Sequence, residues 1–291
     1  MFKIVKKEYL APDIYLMEVE APRVAMSAKP GQFVIVRAYD KGERIPLTVA
    51  DFDKTRGTVT IVIQALGAST RIICSLEEGE SFIDFAGPLG QPSEFTLFEP
   101  EEIKGKRYLF IAGGVGAAPI YPQIKFLKAL GASIDIILGA RSKELLILSN
   151  EINNMCNNLY VSTNDGSAGY KGFVTDVLEE LISEGNQYDF VIAIGPIMMM
   201  KSVANCTKKY AIPTIVSLNS LMIDGTGMCG ACRVSVSGKT KFTCVDGPEF
   251  NAHEVDFDEV LCRLNMYKTE EGIKLKEAER KLHKCKIGRT A

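Results

Sequence analysis

Arg107-Tyr108-Leu109-Phe110-Ile111-Ala112 runs directly into Gly113-Gly114-Val115-Gly116, and a helical stretch follows from Pro119 to Leu130. A buried-type strand feeding a glycine turn and then a helix constrains the fold more than any other feature of this chain. The pattern repeats downstream. Strands are expected at Ser133 to Leu138, Leu159 to Thr163 and Phe190 to Ile194, with a helix at Val174 to Ser183. The last strand is read at Thr214 to Ser217. Apolar strands alternating with helices predict an α/β unit on a mostly parallel sheet. Glycines at such a turn let the backbone approach a pyrophosphate, and the helix N-terminus offers amides and a positive dipole end. A tight turn without a ligand is the alternative, since the spacing departs from G-x-G-x-x-G. Gly195-Pro196 leaves a second strand in the same way, and the methionines after it read as helical core.

The first hundred residues have another texture. Short strands such as Gln32 to Val36, Gly57 to Ile63 and Ser81 to Phe85 lie between turn sequences, among them Lys29-Pro30-Gly31 and Gly87-Pro88-Leu89-Gly90. This spacing predicts a small antiparallel barrel interrupted by one helix near Ser69 to Leu76. Arg44-Ile45-Pro46-Leu47-Thr48 and Gly67-Ala68-Ser69-Thr70 place a guanidinium, hydroxyls and free amides there, a set suited to a second phosphate-bearing cofactor.

From residue 218 the chain becomes dense in Gly and Cys. Of eight cysteines, at 74, 156, 206, 229, 232, 244, 262 and 285, only Cys229, Cys232 and Cys244 are clustered. The other five read as small core residues or exposed thiols. Asp224-Gly225-Thr226-Gly227-Met228-Cys229-Gly230-Ala231-Cys232, followed by Cys244, matches the plant-type 2Fe-2S spacing with Asp224 in the first position. A carboxylate keeps the unit charge of a thiolate but is a harder donor, so potential and spectra should shift. Structural zinc, a C-x-x-C redox switch, and a cluster completed by His253 or water instead of Asp224 stay open as alternatives. Residues 266 to 285 are read as a helix with a thin stripe of Ile273, Leu275, Ala278, Leu282 and Cys285.

The charge balance excludes a nucleic-acid coat: 34 basic against 36 acidic residues leave a net charge of -2. The longest uncharged apolar run, Phe190 to Met200, has eleven residues, against about 20 for a membrane span. The N-terminus lacks the features of an export signal, so the expected compartment is the cytosol.

In this order the motifs resemble the ferredoxin-NADP reductase superfamily, over essentially the whole chain. The branch is similar to the electron-transfer subunit of bacterial dihydroorotate dehydrogenase. It is more similar still to the small subunit of NADH-dependent reduced ferredoxin:NADP oxidoreductase, also called sulfide dehydrogenase, because Asp224 stands where the dihydroorotate branch has Cys. The resemblance implies a multidomain α+β chain: an antiparallel FAD-binding β-barrel over 1–100, an NAD(P)-binding α/β domain over 101–217, a 2Fe-2S domain over 218–260 and a helical tail over 261–291. Arg44, Pro46, Leu47 and Thr48 would line the FAD, and Gly67, Ser69 and Thr70 would hold its pyrophosphate. Leu47-Thr48 replaces a frequent Tyr-Ser, which removes an aromatic ring from the flavin. Gly113, Gly114, Gly116 and Pro119 would bind NAD(H) or NADP(H) as substrate, with Gly195 and Pro196 opposite. Ile194 stands where many relatives carry Cys. Arg141 would face the adenosine ribose. Asp224, Cys229, Cys232 and Cys244 would hold the 2Fe-2S cluster. The implied activity is NAD(P)H-linked electron transfer, with no acid–base pair required. The implied partner, in a heterodimer, is a larger flavoprotein with 4Fe-4S clusters, through which ferredoxin is reached.

Overall fold

The computed structural model describes residues 1–287, with side chains through residue 277. The first unit comprises β1 (Phe2–Ala11), β2 (Ile14–Glu20), α1 (Pro22–Ser27), β3 (Phe33–Arg37), β4 (Ile45–Asp53), β5 (Thr58–Gln64), α2 (Ala68–Cys74), β6 (Ser81–Phe82) and β7 (Asp84–Leu89). Its strands pair antiparallel in the order β6-β1-β2-β5-β4-β3-β7. The two edge strands are separated in the chain by Ile83 alone, whose N–H donates to the Arg37 carbonyl. The sheet therefore curls into a nearly closed barrel around Ile4, Met17, Val19, Val34, Val36, Val59, Ile61 and Phe82.

Three sequence expectations are corrected in this unit. The strand read at Ser81 to Phe85 is two strands, one at each end of the sheet order. The turn read at Gly87 to Gly90 lies largely inside β7, which is an edge strand where Pro88 removes no needed ladder donor. Two helices interrupt the barrel, not one; α1 is announced by Pro22 at its first position.

The second unit follows: α3 (Pro100–Ile103), β8 (Arg107–Gly113), a 3-10 turn at Gly114–Gly116, α4 (Ala117–Ala129), β9 (Ser133–Ala140), α5 (Ser149–Asn153), β10 (Asn158–Thr163), β11 (Tyr170–Lys171), α6 (Val174–Ser183), β12 (Phe190–Ile194), α7 (Ile197–Lys209) and β13 (Thr214–Ser217). These strands pair in parallel, in the order β11-β10-β9-β8-β12-β13. α4 starts two residues before the expected Pro119, because a proline in the first turn has no N–H bond to lose. Separate apolar cores cover the two faces, one including Leu178 of α6 and Val203 of α7, the other Ile120 and Ile124 of α4. The chain moves to opposite sides of β8 on reaching β9 and β12, which opens a crevice at the carboxyl ends of β8 and β12.

The remainder holds a hairpin of β14 (Arg233–Val236) and β15 (Lys239–Phe242), then α8 (Thr243–Asp246), β16 (Glu249–Asn251), α9 (Phe257–Leu264) and α10 (Lys268–Ile287). The expectation that Thr214–Ser217 closes the sheet is corrected by β16, which adds antiparallel to β13 with Val216 opposite Phe250. Three residues bounded by turns carry too little periodicity to be read as a strand. Of the expected tail stripe, Ile273 is exposed and Leu275 half-buried; Ala278, Leu282 and Cys285 lie outside the described side chains. Among the described residues no helix is long and apolar enough to cross a membrane.

Candidate functional site

The glycine turns after β8 and β12 meet, because Ala112 and Ile194 are register partners on adjacent parallel strands. A Cβ on Gly116 would collide with the Ile194 carbonyl oxygen, and one on Gly195 would stand 3.0 Å from the Gly113 Cα. Gly114 adopts φ +56, which completes the 3-10 turn into α4. The structure thus brings Gly113, Gly114, Gly116, Pro119, Gly195 and Pro196 to one crevice, with the N-termini of α4 and α7 both opening there. Backbone without Cβ atoms at these four glycines fits the close approach of a dinucleotide pyrophosphate, with the Met199 side chain packed beside Gly113 and Gly195. Arg141 follows β9, the next strand over, and its carbonyl accepts from Asp165 N–H at 3.2 Å. Of the three methionines after Pro196, Met200 is buried, Met199 packs at the turn and Met198 is exposed.

On the barrel, Pro46, Leu47 and Thr48 of β4 pair with Ile35, Val34 and Phe33 of β3. Arg44 precedes β4 and reaches across to the cysteine-rich segment. Its Nε donates to the Ile223 carbonyl at 3.1 Å and its Nη2 to the Asp224 carbonyl at 3.4 Å. The Asp84 carboxylate stands 3.8 Å from its Nη1 and is more tightly bound by Arg37 Nε at 2.7 Å. A guanidinium held mainly by carbonyls keeps most of its positive field for an anion, which fits a cofactor phosphate. At the start of α2, Gly67 N–H donates to the Thr70 hydroxyl at 2.9 Å, so Thr70 caps the helix. The Ser69 hydroxyl donates to Glu43, and Lys274 Nζ of α10 donates to the same carboxylate at 2.7 Å. These bonds, that of Lys274 first, hold Glu43 below the usual carboxylate range. Sequence reasoning passed over Glu43 and Lys274, for no spacing relates two charges this far apart in the chain.

The cysteine-rich loop packs on the β3–β7 edge, where Phe33, Ile35, Met222, Cys232 and Cys244 form a small core. Asp224 organises the loop from within: Oδ1 accepts from Thr226 N–H at 2.8 Å and Oδ2 from Cys229 N–H at 2.9 Å. The Thr226 amide contributes most to holding this carboxylate below its usual range. Gly225 and Gly227 turn the chain at φ +78 and +84, values that only glycine adopts readily. Cys232 and Cys244 are buried with their Sγ atoms 3.2 Å apart, while Cys229 is exposed. Burial, then the neighbouring Cys232, pushes the Cys244 thiol up to about 12. Three thiols and one carboxylate lie in this segment, and thiolates are the usual donors to an iron–sulfur cluster. Among the described residues, no three His, Cys, Asp or Glu side chains converge on a single metal position. The structure therefore brings the free thiols of Cys232 and Cys244 into contact and links Asp224 to the backbone of Cys229, without assembling all four groups. His253 is engaged elsewhere, with its Nε2 3.0 Å from the Thr207 hydroxyl of α7. Outside the loop, Cys74 and Cys206 are buried, Cys156 is half-buried and Cys262 is exposed; Cys285 lies outside the described side chains.

Residues 219–256 match the iron-sulfur cluster binding domain of dihydroorotate dehydrogenase B, and residues 110–205 match the oxidoreductase NAD-binding domain. A Thermotoga maritima protein named as a homologue of the dihydroorotate dehydrogenase B (NAD(+)) electron transfer subunit is 45% identical over 93% of this chain and 93% of its own. The chain belongs to the family of dihydroorotate dehydrogenase B electron transfer subunits and their homologues. An uncharacterised Clostridium beijerinckii protein from the adh 3' region is 55% identical over 94% of this chain and 92% of its own. A solved structure from a study of flavin-based electron bifurcation by NADH-dependent reduced ferredoxin-NADP oxidoreductase aligns with TM-score 0.87 and 44% identity. That alignment covers 95% of this chain and 97% of the other. The family fold takes FAD and a nicotinamide nucleotide, the latter in the domain matched at residues 110–205, and residues 219–256 form a 2Fe-2S cluster-binding domain. The chain is an oxidoreductase subunit.

Proposed function

We propose that this chain exchanges hydride between NAD(H) and FAD and passes electrons singly through a 2Fe-2S cluster to a larger iron–sulfur flavoprotein, as in an NADH-dependent ferredoxin:NADP oxidoreductase. The observation that carries this reading is Arg44, whose guanidinium belongs to the barrel and donates to the backbone of the cysteine-rich loop at Ile223 and Asp224. That contact sets the anion-binding edge of the barrel against the cluster segment. A nicotinamide gives electrons in pairs and an iron–sulfur centre takes them one at a time; a flavin, when bound, supplies the conversion.

The residues of the chain then divide the work. Arg44, Pro46, Leu47 and Thr48 line the FAD; Gly67, Ser69 and Thr70 hold its pyrophosphate end. Gly113, Gly114, Gly116 and Pro119 cradle the nicotinamide dinucleotide against Gly195 and Pro196, and Arg141 faces the adenosine ribose. Asp224, Cys229, Cys232 and Cys244 ligate the cluster. Boundaries at 1–100, 101–217, 218–260 and 261–291 separate these roles, although β16 returns residues of the third segment to the sheet of the second. Positioning and electrostatics suffice, so no side chain serves as acid or base. The partner contains 4Fe-4S clusters, ferredoxin is reached through it, and the complex is cytoplasmic.

The name of the Thermotoga maritima relative favours a second reading, an electron-transfer subunit serving dihydroorotate oxidation. Purification from the native host, with identification of the accompanying chain, separates the two. A 4Fe-4S flavoprotein that reduces NADP supports the first reading, and a dihydroorotate-oxidising subunit overturns it. An NADH:dye reductase assay on the fully flavinated chain tests the shared part, which absent activity would sink.

A further inference from the structure

Away from the residues assigned above, a polar cluster is sealed where three parts of the fold meet. Glu249 lies on β16, Gln123 on α4 of the nucleotide-binding sheet, and Ser93 on the segment leaving the barrel. Glu249 Oε1 accepts from Gln123 Nε2 at 2.8 Å and from the Ser93 hydroxyl at 3.0 Å. Ser93 and Gln123 are fully buried. The Glu249 residue reaches the surface in part, but its carboxyl end is enclosed. Gly31, at φ +85, closes the fourth side: a Cβ there would run into the Ser93 hydroxyl and stand 3.0 Å from Glu249 Oε1.

Among the described residues, two acceptors in this enclosure have no protein donor, Glu249 Oε2 and Gln123 Oε1. A buried acceptor left so keeps its full desolvation penalty. Rotating the Gln123 amide does not help, since it would turn an oxygen toward Glu249 Oε1. One added proton resolves both: a carboxylic acid facing a primary amide donates O–H to the amide oxygen while its own carbonyl accepts the amide N–H. The surrounding charges agree. Glu94, beside Ser93, opposes a second negative charge, and Lys125, two residues along α4, is engaged with Asp51 at 2.8 Å. Burial, the larger influence, raises Glu249 to about 7.

We propose that Glu249 is kept as the neutral acid and closes on Gln123 as an acid–amide pair, a pH-operated joint between the barrel, the nucleotide-binding sheet and the iron–sulfur segment. Glu249 is a positioning residue: it fixes α4, whose N-terminus carries the Gly116 turn, against the barrel. The joint acts whichever nucleotide or partner the chain uses. Its folded-state value lies above the ordinary 4.5, so its stabilisation is complete below about 4.5 and is lost as pH rises through about 7.

The test compares wild type, Glu249→Gln and Glu249→Ala as purified full chains with their cofactors, by denaturant midpoint from pH 5 to 8 and by infrared spectroscopy. Glutamine reproduces the donor and acceptor of the neutral acid, so Glu249→Gln should keep the wild-type midpoint at pH 5 and hold it nearly constant where wild type falls. Glu249→Ala should be weaker at every pH. Wild type at pH 6 should show a protonated-carboxyl stretch that titrates near pH 7 and is missing from Glu249→Gln. The proposal is overturned if Glu249→Gln follows the wild-type pH profile or is as weak as Glu249→Ala. It is also overturned if wild type shows no such band at pH 6, a result that needs no variant to fold.

Discussion

The chain uses glycine for two different purposes in two regions, the turns at the carboxyl ends of the parallel strands and the cysteine-rich loop. At the turns after β8 and β12, Gly116 and Gly195 are demanded by neighbours: backbone of the adjoining turn occupies the place where a Cβ would stand. In the loop that begins at Asp224, Gly225 and Gly227 are demanded first by the path of their own chain, which turns at positive φ, and the neighbours crowding Gly225 are the side-chain ends of Ile35 and Leu89 rather than backbone. The first arrangement is imposed by two strands buried in the sheet and two helices packed on it. The second rests on a small core and on amide bonds to one carboxylate. Packing-imposed geometry survives without its ligand, whereas a loop with few internal contacts depends on its ligand for the last part of its order.

The largest expected effect breaks the packed turn. Gly116→Val should cost about 3 kcal/mol or more through overpacking against Ile194, and abolish NAD(H) binding, as read by denaturant unfolding and fluorescence titration. Cys232→Ser should act on the other loop alone, removing cluster iron and its visible absorbance while leaving NAD(H) affinity within about twofold, since sites without shared partners behave independently. If nucleotide affinity fell with the iron, the two loops would be one coupled unit and the contrast would fail. Arg44→Ala stands between them. Losing a charged hydrogen bond to phosphate should weaken FAD retention about tenfold or more, measured by equilibrium dialysis of the flavin. The smallest change is spectral: Asp224→Cys should retain a 2Fe-2S cluster with altered EPR and visible bands. Unchanged spectra and potential in Asp224→Ala would remove Asp224 from the ligand set.

Much of the nucleotide-binding half could be read before the fold was known. Ile134, Ile136 and Leu138 on β9, or Val177, Leu178 and Leu181 on α6, carry buried-strand and helical periodicity over short windows. Periodicity of this kind reports directly on which face is buried. The barrel was legible in kind but not in detail. The two-residue β6 and the proline-bearing β7 show no alternation, and their division at Ile83 follows from curling of the sheet. The proposed cluster ligands were chosen from a spacing, while the bonds that Asp224 makes to its own loop could not be read from it.

The order of the strands and helices of the parallel sheet, its glycine turns and the spacing of Cys229, Cys232 and Cys244 could be read from the residues, because strand period, turn chemistry and motif spacing are short-range. Which distant groups meet depends on how the units pack together. Arg44 finds Ile223 across 179 positions, and Glu249 finds Gln123 across 126. No local pattern foretells either pair. Each forms because a curled barrel, a parallel sheet and its late antiparallel edge strand converge, and because polar groups enclosed there must find partners among themselves.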